Sequence, residues 1–294
     1  MIQDELNDGY SRRSKQQESD RVKRIIDDLT LFDDDMMSLV FDKNIPATQL
    51  LLRIILKRDI IVKSVKGQEE FKNPIVGGRD ITLDIHAIDI DGEEIDIEVQ
   101  GNYEGSHVRR ARFHSAMLDS RMLRETDVFK NLKDSYVIFI YKHDKFKKGL
   151  PIYSADRTIM ETGEALNDGS HIIYVNGTYT GNDDFGKLMQ DFHSRDSKGM
   201  HYKELADSVH HFKETKKGRE IMCEAVKKYA EEYAVEYAEE YAAERLIKER
   251  AITVQKLMRN MKWTLEQTLD NLEIYDKTER ATIIRLIKKD NQTI

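Results

Sequence analysis

An α/β domain followed by a helical C-terminal region is the architecture this sequence predicts, on three observations. Apolar residues recur at helical spacing across residues 20–56. Residues 83–100, LDIHAIDIDGEEIDIEVQ, alternate apolar and polar side chains with the period of a β-hairpin. Residues 135–141, SYVIFIY, form a short run of β-branched and aromatic residues suited to a buried strand.

The elements follow in order. Residues 1–20 are polar and are expected to be mobile. Leu29, Phe32, Met36, Met37 and Val40 then mark a helical face, and residues 48–56 are almost entirely apolar. Residues 62–65 can form a first short strand, and Pro74 with Gly77-Gly78 breaks the chain before the hairpin. Ser106 suits the N-cap of a helix over residues 107–124, and the strand at 135–141 closes the series. Residues 142–218 read as an irregular extension in which Asn176-Gly177 suits a tight hairpin turn. The remaining residues, 219–294, are helical. Tyr229, Tyr233, Tyr237 and Tyr241 repeat every four residues, a stripe suited to packing on its own domain or on a second copy. Thr264 with Gln267, and Asp276 with Glu279, have capping-box spacing. The domains expected are therefore residues 21–218 and 219–294, after the polar start.

Composition excludes several classes of function. With 39% hydrophobic and 34% charged residues, the chain has no apolar run near the roughly 18 residues that span a bilayer. The polar start lacks a signal-peptide core, and the one cysteine, Cys223, forbids an internal disulfide and a cysteine zinc cage, so a cytoplasmic protein is expected. A net charge of −7 gives no general attraction to nucleic acid, so any such role needs a local basic patch. His193, His201, His210 and His211 lack metal-site spacing, and Gly77-Gly78 lacks the lysine and hydroxyl of a phosphate loop.

The hairpin carries the chemistry. If Ile90-Asp91-Gly92 forms a three-residue loop with a left-handed glycine, Asp84 lies opposite Glu98 and His86 opposite Asp96. Leu83, Ile85, Ala87, Ile95, Ile97 and Val99 then share an apolar face. Directly opposed carboxylates about 5 Å apart repel. The hairpin alone admits two readings, an ordinary solvated face or a cation held by Asp84 and Glu98. Oxygen ligands without cysteine point to magnesium or manganese. The following helix favours the cation: Arg109, Arg110, Arg112, Arg121 and Arg124 face a single acid, Asp119, and a second basic cluster, Lys142, Lys145, Lys147 and Lys148, follows the next strand. Both suit a phosphodiester.

These residues resemble the PD-(D/E)XK nuclease superfamily, specifically its transposase-like, recombination-promoting branch. Asp84 matches the family aspartate, and Glu98-Val99-Gln100 matches the (D/E)-x-K tripeptide with the glutamine that this branch also carries. Arg110 matches the arginine of the next helix, and His114 stands where the family has an aromatic. FDKNIPATQLLLRIILKRD, NPIVGGRDITLDI, RRARFHSAMLDSRML and KDSYVIFI are similar to the same branch. The resemblance spans residues of about 20 to 220 and implies a restriction-endonuclease-like αβββαβ core. It also implies a metal-dependent DNA endonuclease, with Mg²⁺ or Mn²⁺ on Asp84, Glu98 and the Val99 carbonyl. Gln100 would orient the water, and Arg109, Arg110 and His114 would meet the DNA. Gln49 would take the place of a glutamate found in some superfamily members. A homodimer or higher assembly through the C-terminal helices is expected. A weakly active regulator that binds DNA or protein, and an RNA-directed nuclease, are the alternatives.

Overall fold

The computed structural model describes residues 20–101 and 107–290, without the side chains of residues 229, 232–244 and 289–290. Ser106, the tyrosine stripe and the polar residues 1–19 therefore lie outside the described structure. The chain divides into two compact units, Met1–Lys227 and Lys228–Ile294.

In the first unit the helical pattern of residues 20–56 resolves into three helices, α1 (residues 20–28), α2 (Asp34–Phe41) and α3 (Ile45–Leu56). Local chemistry interrupts it. The Asp33 carboxylate accepts from both the backbone and the hydroxyl of Thr30, Lys43 is left-handed at φ 55°, and Asn44 caps α3 by accepting from Ala47 N at 3.2 Å. The six strands are β1 (Val62–Phe71), β2 (Ile81–Asp89), β3 (Glu94–Gln100), β4 (Ser135–Tyr141), β5 (Ile152–Ala155) and β6 (Ser170–Asn176). They lie in the order β1-β2-β3-β4-β6-β5. β1, β2 and β3 form an antiparallel meander, β4 and β6 run parallel to β3, and β5 is antiparallel to β6. Helix α4 (Val108–Met122) joins β3 to β4, so α3 to β4 runs in the αβββαβ order that the resemblance implies.

Several expectations change. The first strand is 10 residues long rather than confined to residues 62–65. Its second half, Lys66–Glu70, reads as polar because it lies on a sheet edge and is half solvated. The extension after β4 is not irregular: it adds β5 and β6, then α5 (Asp184–His193) and α6 (Lys203–Glu214). Asn176-Gly177 is no hairpin turn but the exit of β6, where Gly177 N donates to Tyr141 O at 2.7 Å. A Cβ at Gly177 would lie 2.3 Å from that oxygen, so glycine serves close approach there.

Two apolar layers result. Ile85, Ala87, Ile95, Ile97, Val99, Ile138 and Ile140 pack on one side with α1, α2, α3, α5 and α6. Val137, Phe139 and Tyr141 pack on the other with Ala111 and Leu118 of α4. Leu83 joins this second layer with Phe71 and Ile81, not the hairpin's apolar face as its alternation predicts. The regular β2–β3 pairing ends at Ile85↔Ile97, so alternation no longer governs residue 83.

Helix α7 (Lys216–Met261) runs across the division between the units. In the second unit Ala251 and Val254 of α7 share a small core with Leu269 of α8 (Leu265–Asn271) and with Ile283 and Ile287 of α9 (Lys277–Asp290). The capping box at Thr264 and Gln267 forms. At α9 only half forms: Asp276 accepts from Glu279 N, while the Glu279 carboxylate pairs with Arg250. Among the described residues no helix is long and apolar enough to cross a membrane.

Candidate active site

The hairpin forms with Gly92 left-handed at φ 83° and Asp89 N donating to Glu93 O at 3.2 Å. The Asp89 carboxylate accepts from Asp91 N and Glu93 N, which locks the loop. The register places His86 opposite Asp96. Across β3 and β4, Asp96, Glu98 and Gln100 neighbour Val137, Phe139 and Tyr141, so the polar face of the hairpin lies on the α4 side. It is not a wet face. Asp96 and Glu98 are wholly buried.

Asp84 and Glu98 are held by backbone groups rather than by a regular ladder. Asp84 N donates to Glu98 Oε1 at 3.1 Å, and Val99 N donates to Asp84 Oδ2 at 3.0 Å. Gln68, left-handed at φ 49° in β1, donates from Nε2 to Asp84 Oδ1 at 3.4 Å and to Ser38 Oγ at 2.9 Å. Gln100 donates from Nε2 to its neighbouring Val99 carbonyl at 3.0 Å. Asp34, at the start of α2, lies within electrostatic reach of both Asp84 and Arg110.

Behind this pair runs a buried relay. Arg110 pairs with Glu98 Oε2 and donates from Nε to His114 Nε2 at 3.3 Å. An arginine Nε–H only donates, so His114 Nε2 accepts, and its proton sits on Nδ1 facing Asp96 Oδ2 at 2.7 Å. Burial first, with Arg110 among the nearby charges, holds the His114 pKa below its ordinary value, which agrees with a neutral ring. Burial, then repulsion from Glu98, raises Asp84 to about 7. Burial, then repulsion from Asp96, raises Glu98 to about 8. Asp96 is raised well above the carboxylate range, chiefly by its complete burial. Without a cation, this cluster holds protons near neutrality.

The residues fit a divalent ion. Candidate ligand atoms of Asp96, Glu98 and His114 lie within 4.8 Å of one another, and His114, whose Nδ1 proton faces Asp96, serves the set by orienting that carboxylate. Asp96 Oδ1 is buried with no hydrogen-bond partner among the described residues. An orphaned buried carboxylate oxygen costs about 1–3 kcal/mol, and a cation removes that cost. The oxygen-rich set suits Mg²⁺ or Mn²⁺ better than a thiophilic metal.

The structure brings Asp84, Glu98, Gln100, Arg110 and His114 together, with corrections to two expected roles. His114 does not present a surface to DNA; it is 3% exposed because α4 turns it onto Asp96 and toward Phe139. Gln49 is absent from the site, since its Oε1 accepts from Val62 N at 3.0 Å and caps β1. Asp34 and Gln68 stand nearer. Arg109 is exposed on the first turn of α4, where His107 provides the N-cap. Sequence reasoning missed Asp96, Asp34 and Gln68. Period-two alternation already placed Asp96 on the face of Glu98, whereas nothing in the sequence marks the left-handed kink that aims Gln68 at Asp84.

Against known proteins, a family model described as PD-(D/E)XK nuclease family transposase matches residues 39–178. No curated protein and no solved structure gave a match.

Proposed function

We propose that this chain, which belongs to the PD-(D/E)XK nuclease family of transposase type over residues 39–178, is a divalent-metal-dependent endonuclease that hydrolyses phosphodiester bonds in DNA. The observation that carries the reading is the acidic trio of buried Asp96 and Glu98 with half-buried Asp84, whose mutual repulsion and orphaned Asp96 Oδ1 are costs to the fold unless a cation is bound. Asp84 and Glu98 would hold the ion, with Asp96 Oδ1 as a further oxygen. A bound Mg²⁺ or Mn²⁺ supplies charge for the scissile phosphate and a more acidic water.

The chain's own residues do the rest. His114 keeps its Nδ1 proton on Asp96 and fixes that carboxylate's orientation. Arg110 stands in for the cation by pairing with Glu98, and its partly exposed guanidinium can turn to a phosphate once the carboxylate has another partner. Gln100 cannot act as a base, but its amide oxygen can accept from the attacking water and orient it. Arg109 and the lysines that follow β4 would track the backbone. Two copies joined through α7 would supply the two cuts of a double-strand break.

The test is incubation of the full-length protein with supercoiled plasmid, with Mg²⁺, with Mn²⁺ and with excess chelator, beside a single-stranded RNA. Nicking or linearisation that requires metal is expected. Undiminished cutting in chelator would refute the metal assignment, and cutting of RNA alone would replace DNA as the substrate.

A further inference from the structure

The connection between β1 and β2 places two stiff apolar side chains in solvent. Ile75 is 72% and Val76 is 102% exposed. Single exposed aliphatics are ordinary on protein surfaces, but here two β-branched residues stand side by side at the tip of a loop that is tightly tied. Asn73 N donates to Asp80 Oδ1 at 2.7 Å, Asn73 Nδ2 donates to Arg79 O at 3.2 Å, and Asn73 Oδ1 accepts from Ile75 N at 2.9 Å. Gly78 N donates to Ile75 O at 2.8 Å. Gly77 takes φ 76°, and a Cβ on Gly78 would lie 2.5 Å from the Asn73 carboxamide, so both glycines are needed for this shape. β-Branched side chains have little χ1 freedom to lose. The tip is pre-organised to enter something apolar.

The surroundings identify what it enters. The loop springs from Phe71 and Ile81 in the core layer beneath α4. It is fastened to that helix by Arg121, which donates to Lys72 O at 3.2 Å and lies over the Phe71 ring at 4.2 Å. Next to the tip, Arg79 is exposed and makes no ion pair among the described residues. It stands two residues before Ile81, the start of β2, the strand that carries Asp84. An apolar wedge beside an unpaired arginine, at the margin of a phosphodiesterase site, fits a polyanion with a stacked apolar interior. We propose that Ile75 and Val76 insert between base pairs of duplex DNA while Arg79 holds a flanking phosphate. Unstacking would loosen the backbone that Asp84 and Glu98 are to receive. Insertion of aliphatic side chains at a base step breaks stacking and is repaid by contacts with the distorted duplex. The proposal rests on the DNA-nuclease reading.

The experiment uses the full-length protein, the double variant Ile75→Ser with Val76→Ser, and the conservative pair Ile75→Leu with Val76→Leu. The probes are a fully paired duplex carrying 2-aminopurine, whose fluorescence rises on unstacking, and the same duplex with mismatches that have already lost stacking. The wild type should raise the fluorescence of the paired duplex, and the leucine pair should retain that rise. The serine pair should lose it, and should bind the paired duplex about tenfold or more weakly, as expected for about 1.4 kcal/mol or more. On the mismatched duplex its affinity should stay within about twofold of wild type, because no stacking remains to be broken. Equal losses on both duplexes would overturn the wedge, since a general contact or a damaged fold acts on both alike. A wild type that cuts plasmid while the serine pair matches it in fluorescence and affinity overturns the wedge alone. A wild type that neither binds nor cuts DNA overturns the wedge together with the nuclease reading, and leaves the tip to a protein partner.

Discussion

Replacing Glu98 by glutamine tests the site without emptying it. Glu98→Ala would leave the Asp84 N–H and Arg110 without their acceptor in a buried place, a cost of about 1–3 kcal/mol unrelated to metal. Glutamine keeps an oxygen for Asp84 N and removes only the titrating charge. Asp84 at about 7 and Glu98 at about 8 stand above their ordinary values of 3.8 and 4.5. Between about pH 4 and pH 8 the folded protein therefore holds protons that the unfolded chain has released, so these groups make stability fall as pH rises across that window. The slope is at most about 1.4 kcal/mol per pH unit for each group. Glu98→Gln removes one share, so the metal-free variant should be more stable than wild type at about pH 8, by on the order of 1 to 3 kcal/mol, and equal to it near pH 4. Metal reverses the ranking. An ion present at about 100 times its Kd stabilises wild type by about 2.7 kcal/mol, or roughly 5 to 10 °C in Tm for a domain of this size. The rise should grow from about pH 6 to about pH 8, because protons compete for the ligands. Thermal melts of both proteins with and without Mg²⁺ or Mn²⁺, beside plasmid cleavage, read all of this. A variant that keeps the full metal-induced rise and the wild-type cutting rate would refute Glu98 as a ligand.

Arg110→Ala should weaken DNA binding and lower the slope of log affinity against log salt by about 1, since one phosphate contact is lost; superimposable titrations from low to moderate salt would count against that contact. The full-length protein should be at least a dimer by light scattering, and a monomer at high micromolar concentration would remove α7 from assembly. Gly177→Ala should destabilise the first unit by about 1–3 kcal/mol, because its Cβ would approach Tyr141 O to 2.3 Å. An unchanged denaturation midpoint would show that the β4–β6 exit can yield.

Local pattern determined the hairpin. Period-two alternation, with one glycine able to take φ 83°, sets which residues of β2 and β3 meet, and so places Asp96 and Glu98 on one face. The αβββαβ order was legible for the same reason, as each element carries its own periodicity. Only the tertiary structure decided what covers that face. Arginine density on α4 suggested a helix turned toward DNA, but its rotation follows Ala111, Leu118 and Phe139, and that packing drives His114 onto Asp96 and converts a solvated face into a buried acidic cluster. Gln49, Gln68 and Asp34 show the same limit. Each is a polar residue on an early element, and which one reaches Asp84 depends on a left-handed kink in β1 and on how α2 meets the sheet. β6 was illegible for a different reason: its parallel partner lies far upstream across β5 and a long connection, and pairing at that distance leaves no local mark. Periodicity is a property of neighbours in the chain and can be read there, whereas burial and charge coupling belong to neighbours in space and exist only once the layers have closed.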